Sequence, residues 1–433
     1  MRMRQFITSV ILTIFIVLSG ANPIFSQTKT KRTIHVEKAG TLSSYISDEE
    51  LYEIEELTLT GEINGSDFSI LRNMAGRKSS GKDYRNYGYT DGKLTFLDIS
   101  GTKIVAGGKY MRFSNIDNSV DYELTNNDEI PPLIFDGCSG LSTIKIPESV
   151  NSIGSYALNG TAWYNNQPDG LVYMGNILYS YKGDMPQDAS ITIKDGTTSI
   201  ACSAFEKKKE LSSIIIPNSV TRIGSSTNNY TFDGWRGYGG AFAGCKKLSK
   251  VILPNSVESI GWFTFRDCSS LTNITFGSGT KVIDHRAFDG VDLQIIVSLI
   301  EDPFEIDGKS DYEGSFSEKT FDDATLYVPV GSINKYKTTR GWKDFAHIKE
   351  GIGDDSNVKD TKANAIMVKS DGEKIIISGI ETGSLINIYN VAGQIVYSTT
   401  ASQETTVINP SLQNGEIAIV KIGEESFKIL ISK

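Results

Sequence analysis

Apolar residues recur with a fixed spacing along the middle of the chain. Leu248 and Leu271 are 23 residues apart, and so are Ile260 and Ile283. A period of this length is typical of repeat proteins in which each unit leaves an apolar face that only its neighbours cover. The pattern therefore predicts a solenoid of stacked coils with one continuous core.

Each repeat contains a short segment in which apolar and outward-facing residues alternate. Val251 and Leu253 are separated by one such position, which is the alternation expected of a β-strand. A proline, whose missing N–H ends a strand at little cost, follows directly in several units; these are Pro147, Pro217 and Pro254. We expect one short strand in each coil, paired in parallel with the strands of its neighbours.

The period is interrupted by an insertion. Ile223 and Ile260 are 37 residues apart, one period plus 14, which matches an insertion at residues 227–240. A loop that combines aromatic rings with arginine is typical of contact hot spots and of platforms that stack on sugars. Two interpretations are open, a binding loop and a loop packed on the adjacent coil. The candidate binding residues are Tyr230, Phe232, Trp235, Arg236 and Tyr238.

The outward positions of the strands form a second candidate surface. Ile215 and Ile252 fall at such positions on neighbouring coils, where water favours polar side chains. An apolar patch exposed on the concave face of a sheet is typical of a contact site; the alternative is that a hairpin or the insertion covers it. The whole predicted column is Lys145, Thr192, Ile215, Ile252 and Thr275.

Four segments carry a resemblance to a known repeat family. They are FDGCSGLSTIKIPESVNSIGSYAL (135–158), LSSIIIPNSVTRIG (211–224), AFAGCKKLSKVILPNSVESIG (241–261) and CSSLTNITFGSGTKVIDHRAF (268–288). This unit resembles the BspA-like, or Treponema-type, leucine-rich repeat over roughly residues 35–350. The resemblance implies an α+β leucine-rich-repeat solenoid and cell-surface adhesion, with host matrix or plasma proteins or other cells as partners.

The N-terminal half is predicted to contain a leader and irregular repeats before the regular ones. Arg2 and Arg4 precede an apolar run from Phe6 to Leu18, which predicts a secretory signal peptide over residues 1–26. Residues 33–134 are predicted to be irregular repeats and a cap, and 135–350 regular repeats with a C-terminal cap. No later stretch reaches the ~18 apolar residues of a membrane span. We therefore expect a secreted or cell-surface protein.

The C-terminal residues have a different pattern. Residues 351–362 are predicted to be a linker, and 363–433 contain short β-like segments at the spacing typical of a small β-sandwich. INIYNVAGQIVYS (386–398) and the terminal GEESFKILISK resemble the C-terminal sorting domain of Por-type, or type IX, secretion substrates. An immunoglobulin-like spacer is the alternative.

The net charge bears on the class of ligand, and the repeat positions of the cysteines bear on disulfide bonding. The formal net charge is −9, and lysines cluster only in short runs such as Lys207–Lys209, so nucleic-acid binding is not expected. Cys138, Cys245 and Cys268 share one repeat position, whereas Cys202 does not. The shared repeat position favours free, buried thiols. A Cys245–Cys268 disulfide on adjacent coils is the alternative.

The sequence has no enzymatic signature. Its three histidines are far apart, and His285 shares a repeat position with serine and tryptophan, which predicts a surface substitution. Residues 76–83 lack the Ser or Thr of a phosphate-binding loop, and the acidic segment 117–129 lacks the glycine of a calcium loop, so we expect a solvated loop there.

We therefore expect a non-enzymatic recognition protein without catalytic residues, metal or cofactor. Two alternatives are a glycan-binding accessory protein that uses the insertion 227–240 and a purely structural surface protein.

Overall fold

A computed structural model describes most of the 433-residue chain in two compact units, Met1–Ile352 and Gly353–Lys433. In the first unit the structure describes residues 30–81, 88–114, 119–224, 240–309 and 314–351. In the second it describes residues 367–430 except 372–373, 379, 381, 390–394, 404, 411, 413–416 and 423–424. The predicted signal peptide and nearly all of the predicted insertion lie outside the described residues.

The described residues are mostly β, with few and short helices. The helices are α1 (Gly65–Met74), α2 (Ala162–Asn165), α3 (Glu318–Asp323) and α4 (Ile333–Tyr336), with 3-10 turns at Leu42–Ser44 and Trp342–Asp344. Tight turns rather than helices therefore close most repeats, so helix contributes less than the α+β prediction suggests. None of the described helices has the length and hydropathy of a membrane span.

The first unit opens with a parallel sheet in the order β1-β2-β4-β8. Two smaller sheets accompany it, β3-β5-β6 and the parallel pair β7-β9. The predicted solvated loop at 117–129 is wrong in part, because Asp121 and Glu123 lie in β6, where lysine and arginine side chains on β5 pair with Asp121. The strands are β1 (Lys31–Val36), β2 (Glu56–Ile63), β3 (Ser80–Gly81), β4 (Phe96–Ile104), β5 (Lys109–Ser114), β6 (Ser119–Glu123), β7 (Glu129–Ile130), β8 (Thr143–Lys145) and β9 (Ser152–Ile153).

The repeat region contains a hairpin and then two strands in each regular unit. The hairpin β10–β11 is antiparallel. The prediction of one strand in each coil is wrong: a second strand of two residues follows the turn, and it is too short to show an alternation in the sequence. The strands are β10 (Gly170–Met174), β11 (Ile177–Lys182), β12 (Ala189–Thr192), β13 (Ser199–Ile200), β14 (Leu211–Ile215), β15 (Arg222–Ile223), β16 (Lys250–Ile252), β17 (Ser259–Ile260), β18 (Asn273–Phe276), β19 (Val282–Ile283), β20 (Ile295–Ser298), β21 (Thr325–Val328) and β22 (His347–Glu350).

The pairing of these strands reproduces the sequence period. In the ladder β11-β13-β15-β17-β19, Ile200 pairs with Ile223, Ile223 with Ile260, and Ile260 with Ile283, all in parallel. The longer strands form a second parallel ladder, β16-β18-β20-β21-β22, and β12 pairs with β14. Successive repeats therefore lie side by side in the register that the spacing of their isoleucines predicts.

A column of phenylalanine rings fills the core between the two ladders. Phe242 stacks on Phe265 with ring centroids 5.4 Å apart and an interplanar angle of 6°, and Phe205 stacks on Phe242 at 5.3 Å. The stack continues through Phe288 to Phe316, whose centroids lie 4.9 Å apart. Because each ring is covered on both faces by rings from other repeats, no single repeat buries its own aromatic residue.

Besides the hydrogen bonds of the two strand ladders, a third set joins the turns of neighbouring repeats. The backbone N–H of Phe205, Phe242 or Phe265 donates to a carbonyl oxygen of the next repeat, at 2.7 to 2.8 Å. Two residues beyond the phenylalanine the backbone is left-handed, with φ of 74° at Gly244 and 58° at Lys207. Glycine adopts this conformation without steric cost, whereas other residues are strained in it.

Helix α1 packs the irregular N-terminal region onto the first regular turn. Its N-cap is Asn64, whose side chain accepts from the Ser66 N–H at 2.9 Å. Near its C-terminus the buried Arg72 donates from Nη1 to the carbonyl oxygens of Leu133 and Ile134, both at 2.8 Å. A buried cation thus satisfies the carbonyl groups of the turn that begins the regular repeats.

The second unit consists of two antiparallel sheets, β23-β24-β27 and β26-β25-β28-β29. Their buried side chains form one apolar cluster, to which Ile375 and Ile377 contribute from β24, and Ile386 and Ile388 from β25. The strands are β23 (Met367–Asp371), β24 (Lys374–Ser378), β25 (Leu385–Tyr389), β26 (Ile395–Thr400), β27 (Thr405–Ile408), β28 (Ile417–Ile422) and β29 (Glu425–Leu430).

Candidate functional site

The structure places the predicted outward positions on one face of the ladders. Thr192 pairs with Ile215 between β12 and β14, and Ile252 pairs with Thr275 between β16 and β18. β14 and β16 lie next to each other without a shared ladder, so the two isoleucines belong to neighbouring strands. Lys145, in contrast, lies on β8 in the sheet of the N-terminal strands.

Both isoleucines of this column are exposed to solvent. Ile215 is 59% exposed and Ile252 is 44% exposed, whereas the alternate residue Val251 is 1% exposed. The adjacent strands carry half-buried Thr275 and Val297 at the paired positions. We call the four side chains Ile215, Ile252, Thr275 and Val297 the outward patch. Among the described residues, no side chain shields the two isoleucines from water.

The two ends of the outward column are polar. At the N-terminal end Lys145 pairs with Asp98 on β4, with Nζ 3.1 Å from the carboxylate, and its side chain is 55% exposed. At the other end the ammonium of Lys349 lies 5.9 Å from the ring centroid of Tyr327, which is the paired residue on β21. The apolar part is therefore confined to the strands between these two lysines.

The other predicted site lies outside the described residues. The insertion residues Tyr230, Phe232, Trp235, Arg236 and Tyr238 all fall within 225–239, which the structure does not describe. The hypothesis that this loop binds a ligand thus stays a prediction. Its two anchors are described: Ile223 pairs with Ile260, so the strands on either side of the insertion keep the register of an uninterrupted repeat.

An acidic cluster around His285 was missed by the sequence reasoning. The imidazole contacts the carboxylate of Asp307 and lies against Trp262, with ring centroids 5.3 Å apart. The side chain of His285 is 31% exposed, so it lies at the surface as predicted, but it contacts defined partners there. Burial raises the pKa of the neighbouring Asp284 to about 7, His285 and Arg222 oppose this rise, and Asp307 adds to it. The signal was the run Asp284-His285, which is unusual at this repeat position.

This cluster does not amount to a metal site. Within the described residues, no group of three or more His, Cys, Asp or Glu side chains is arranged to hold a metal ion. The cleft beside the cluster has a volume of about 300 Å³ and is lined by Asp284, His285, Asp307, Phe304 and Arg340, among others. The residues are better explained as a partly desolvated ion-pair cluster at the end of the 23-residue repeats.

All four cysteines are buried, and Cys138, Cys245 and Cys268 are free thiols. Burial raises the pKa of the Cys138 and Cys268 thiols to about 12, and it also raises the pKa of Cys245. A thiol held protonated in this way is a poor nucleophile and a poor metal ligand. The cysteine column is therefore part of the packing, as the repeat phase predicted.

The sequence of the repeat region matches a known repeat family. A family model of the BspA type leucine-rich repeat region matches residues 179–232 and 238–335 in six copies. This segment of the chain is therefore similar to BspA type leucine-rich repeats. The match covers the ladders β13-β15-β17-β19 and β16-β18-β20 as well as most of the phenylalanine column.

Solved structures similar to the chain include a leucine-rich repeat protein, a vaccine antigen and a leucine-rich cell surface protein, all from bacteria. A leucine-rich repeat protein from Bacteroides ovatus ATCC 8483 is 18% identical, covers 60% of this chain and 61% of its own, and has a TM-score of 0.24. The chain thus spans less than two thirds of that protein's length.

Two further structures are similar over a larger share of the chain. The pneumococcal vaccine antigen PcpA is 14% identical over 75% of this chain and 89% of its own, with a TM-score of 0.33. A leucine-rich cell surface protein from Faecalibacterium prausnitzii A2-165 is 16% identical over 75% and 80%, with a TM-score of 0.22. A comparison with curated proteins finds no match.

Proposed function

We propose that this chain is an exported, non-enzymatic surface protein that recognises another protein through the outward patch of a leucine-rich-repeat solenoid. The observation that carries the proposal is the exposure of Ile215 and Ile252, 59% and 44%, on the neighbouring strands β14 and β16. Apolar side chains grouped on a surface, rather than scattered singly, mark interaction sites.

The chemistry of the patch favours a protein over a polysaccharide. Its exposed side chains are aliphatic, and aliphatic groups gain free energy mainly by burial against other apolar side chains. Sugars instead need aromatic faces and convergent hydrogen-bonding groups. The outward column has an apolar centre and a lysine at each end, Lys145 and Lys349. It therefore suits a partner protein whose apolar side chains are flanked by carboxylates.

The partner we propose is a protein of the host matrix or of a neighbouring cell surface. The predicted signal peptide, residues 1–26, supports export. The similarity of residues 179–335 to BspA-type repeats supports a surface scaffold, because such repeats are generally binding frameworks rather than enzymes. Nucleic acid is not proposed as a ligand, in view of the net charge of −9.

The second unit is proposed to be a β-sandwich that serves export or anchoring. Its two antiparallel sheets share one apolar cluster, which is the arrangement that a sandwich requires. The resemblance of residues 386–398 and of the C-terminus to a sorting domain supports a role in type IX secretion. Deleting residues 363–433 is expected to leave the protein inside the cell envelope, and unchanged secretion of the truncated chain would exclude this role.

Ligand capture with matched variants tests the main proposal. The chain without residues 1–26 is immobilised and exposed to detergent-free extracts of host matrix, and retained proteins are identified by mass spectrometry and then measured singly by surface plasmon resonance. The Ile215→Ser and Ile252→Ser double variant is expected to weaken the interaction at least about tenfold. Val330→Ser is the control, because Val330 is 83% exposed but lies outside the outward patch.

Two results would contradict the proposal. Equal binding by the wild-type chain and the double variant would exclude the outward patch as the contact surface. Equal loss with the Val330→Ser control would show that the effect comes from general surface polarity rather than from the patch.

A further inference from the structure

A cleft lies where the hairpin β10–β11 takes the place of a repeat turn. Tyr181 is 23 residues after Leu158 and 24 before Phe205, so β11 provides the residue of the phenylalanine column in this repeat. The turn that normally follows that residue is missing here. The gap has a volume of about 200 Å³. Its lining includes Tyr156, Tyr164, Ser180, Tyr181, Glu206 and Lys208.

The interruption is visible in the hydrogen bonds between turns. In the regular repeats the N–H of the phenylalanine donates to a backbone carbonyl of the next turn. Here the N–H of Leu158 donates instead to the hydroxyl of Tyr179, at 3.0 Å. Tyr179 is buried, so it replaces the missing carbonyl and closes the bottom of the gap.

Hydroxyl groups and one carboxylate converge on this gap. The Tyr164 hydroxyl and the Ser180 hydroxyl lie 3.2 Å apart. The Tyr156 hydroxyl donates to the carboxylate of Glu206 from the opposite side. Tyr156 and Glu206 belong to repeats that are separated by the hairpin coil, so their contact spans the gap. Both tyrosines are only half-buried.

The charges of the cleft are compensated within the protein. The Glu206 carboxylate pairs with Lys207 at 2.8 Å, and the Glu206 side chain is only 10% exposed. Lys208 donates from Nζ to the Gly183 carbonyl at 2.6 Å and lies 5.3 Å from the ring centroid of Tyr181. Burial lowers the pKa of Lys208, which is consistent with its place inside the cleft. An anionic or cationic ligand would have to break these contacts.

We propose that this cleft binds a neutral carbohydrate, with one sugar unit between Tyr156 and Tyr164. A sugar presents apolar C–H faces together with hydroxyl groups that both donate and accept. Aromatic rings match the C–H faces. The carboxylate of Glu206 and the hydroxyl of Ser180 supply acceptors and a donor for the sugar hydroxyls. The cleft is separate from the outward patch, so this inference does not depend on the protein-recognition proposal.

A glycan array probed with the whole mature chain tests the inference. The array carries neutral oligosaccharides of glucose, mannose, galactose and xylose, with sulfated and sialylated glycans for comparison. The ligand that is retained best is then titrated by isothermal calorimetry. Glu206→Gln and Tyr164→Ala are each expected to weaken binding at least tenfold, and Tyr164→Phe by a smaller factor of about two to five.

Two controls isolate the cleft. Tyr173→Ala removes a hairpin tyrosine that does not line the cleft and whose ring lies 4.6 Å from the ammonium of Lys194, and it should leave the affinity unchanged. Trp235→Ala tests the insertion instead. Thermal melting of each variant shows whether it is folded. If Tyr164→Ala is unfolded, the affinity of the near-isosteric Glu206→Gln variant decides whether the cleft binds the sugar.

Any of four outcomes overturns the inference. They are retention of no neutral oligosaccharide, retention of charged glycans alone, equal affinity in Glu206→Gln and wild type, and loss of binding with Trp235→Ala while the cleft variants bind normally. A failure here leaves the Ile215 and Ile252 experiment unaffected, because that experiment uses a protein ligand and a different surface.

Discussion

The thiol of Cys268 lies 3.1 Å from the carbonyl oxygen of Phe242 on the preceding repeat. Cys245 makes the same contact with Phe205, at 3.2 Å. The phenylalanine donates its N–H forward to the next turn while its carbonyl accepts a thiol from that turn, so both backbone groups are satisfied between repeats. The cysteine column therefore connects neighbouring repeats without a covalent bond.

Thiol labelling tests this role of the cysteines. Burial raises the pKa of Cys268 to about 12, so its thiolate is scarce at about pH 8.5, the ordinary pKa of cysteine. We expect the native chain to react slowly with Ellman's reagent, and all 4 cysteines to react once guanidinium chloride unfolds it. Fewer reactive thiols in the denatured, unreduced chain would reveal a disulfide and contradict this account.

The phenylalanine column should dominate the stability of the repeats. Phe242 is fully buried and stacks on both Phe205 and Phe265. Phe242→Ala is expected to lower the free energy of unfolding by about 3–5 kcal/mol, because the cavity lies between two rings that the ladders hold in place. Urea unfolding followed by circular dichroism measures this. Val330→Ala, on the surface, should change it by less than about 0.5 kcal/mol.

Alanine substitution should have different effects at two glycines, because only one of them has a left-handed backbone conformation. Gly244 has φ of 74°, so Gly244→Ala is expected to cost about 1–2 kcal/mol. Gly140, in contrast, is not among the residues with positive φ, and a Cβ there would meet nothing within 4 Å. Gly140→Ala should be neutral or stabilising by up to about 1 kcal/mol. Equal melting temperatures for the two variants would show that the turn tolerates a side chain at Gly244.

Asp284 should make the stability depend on pH. Its folded-state pKa of about 7 is above the ordinary value of about 3.9, so the folded chain keeps a proton that the unfolded chain loses. Stability from this group is therefore present below about pH 4 and declines as the pH rises through about 7. The Oδ2 atom is buried and lacks a hydrogen-bond partner among the described residues.

The variant Asp284→Asn isolates this contribution. It is expected to be more stable than the wild-type chain at about pH 8, by at least about 1 kcal/mol, and equally stable near pH 4. Chemical unfolding at both pH values measures the difference. The idea fails if the two proteins show the same pH profile, because the carboxylate would then ionise freely in the folded state.

The repeat period was readable from the sequence because the core repeats one residue type at one position. The isoleucines at 200, 223, 260 and 283 are paired in the structure as their spacing predicts. The burial of the cysteine column could be predicted for the same reason. Likewise, the exposure of Ile215 and Ile252 follows from their outward phase on the strands.

Features that depend on neighbours in space were missed. The second strand of each repeat has only two residues, as at Ser259–Ile260, so alternation cannot reveal it. The capping of α1 by Asn64 depends on the chain direction before the helix, and the pairing of His285 with Asp307 joins residues 22 positions apart. The cleft beside Tyr164 exists only because a hairpin omits a turn, which no local pattern encodes.

The central claim is that successive repeats lie side by side in parallel register, as β12 and β14 do where Thr192 pairs with Ile215. Cross-linking at the surface tests it most directly. The Oγ atoms of Ser190 and Ser213 lie 2.6 Å apart on paired strands, so Ser190→Cys combined with Ser213→Cys should form an intramolecular disulfide under mild oxidation. Peptide mapping should recover that bond in nearly all molecules. Free thiols at both positions, or bonds between chains only, would contradict the stacked register.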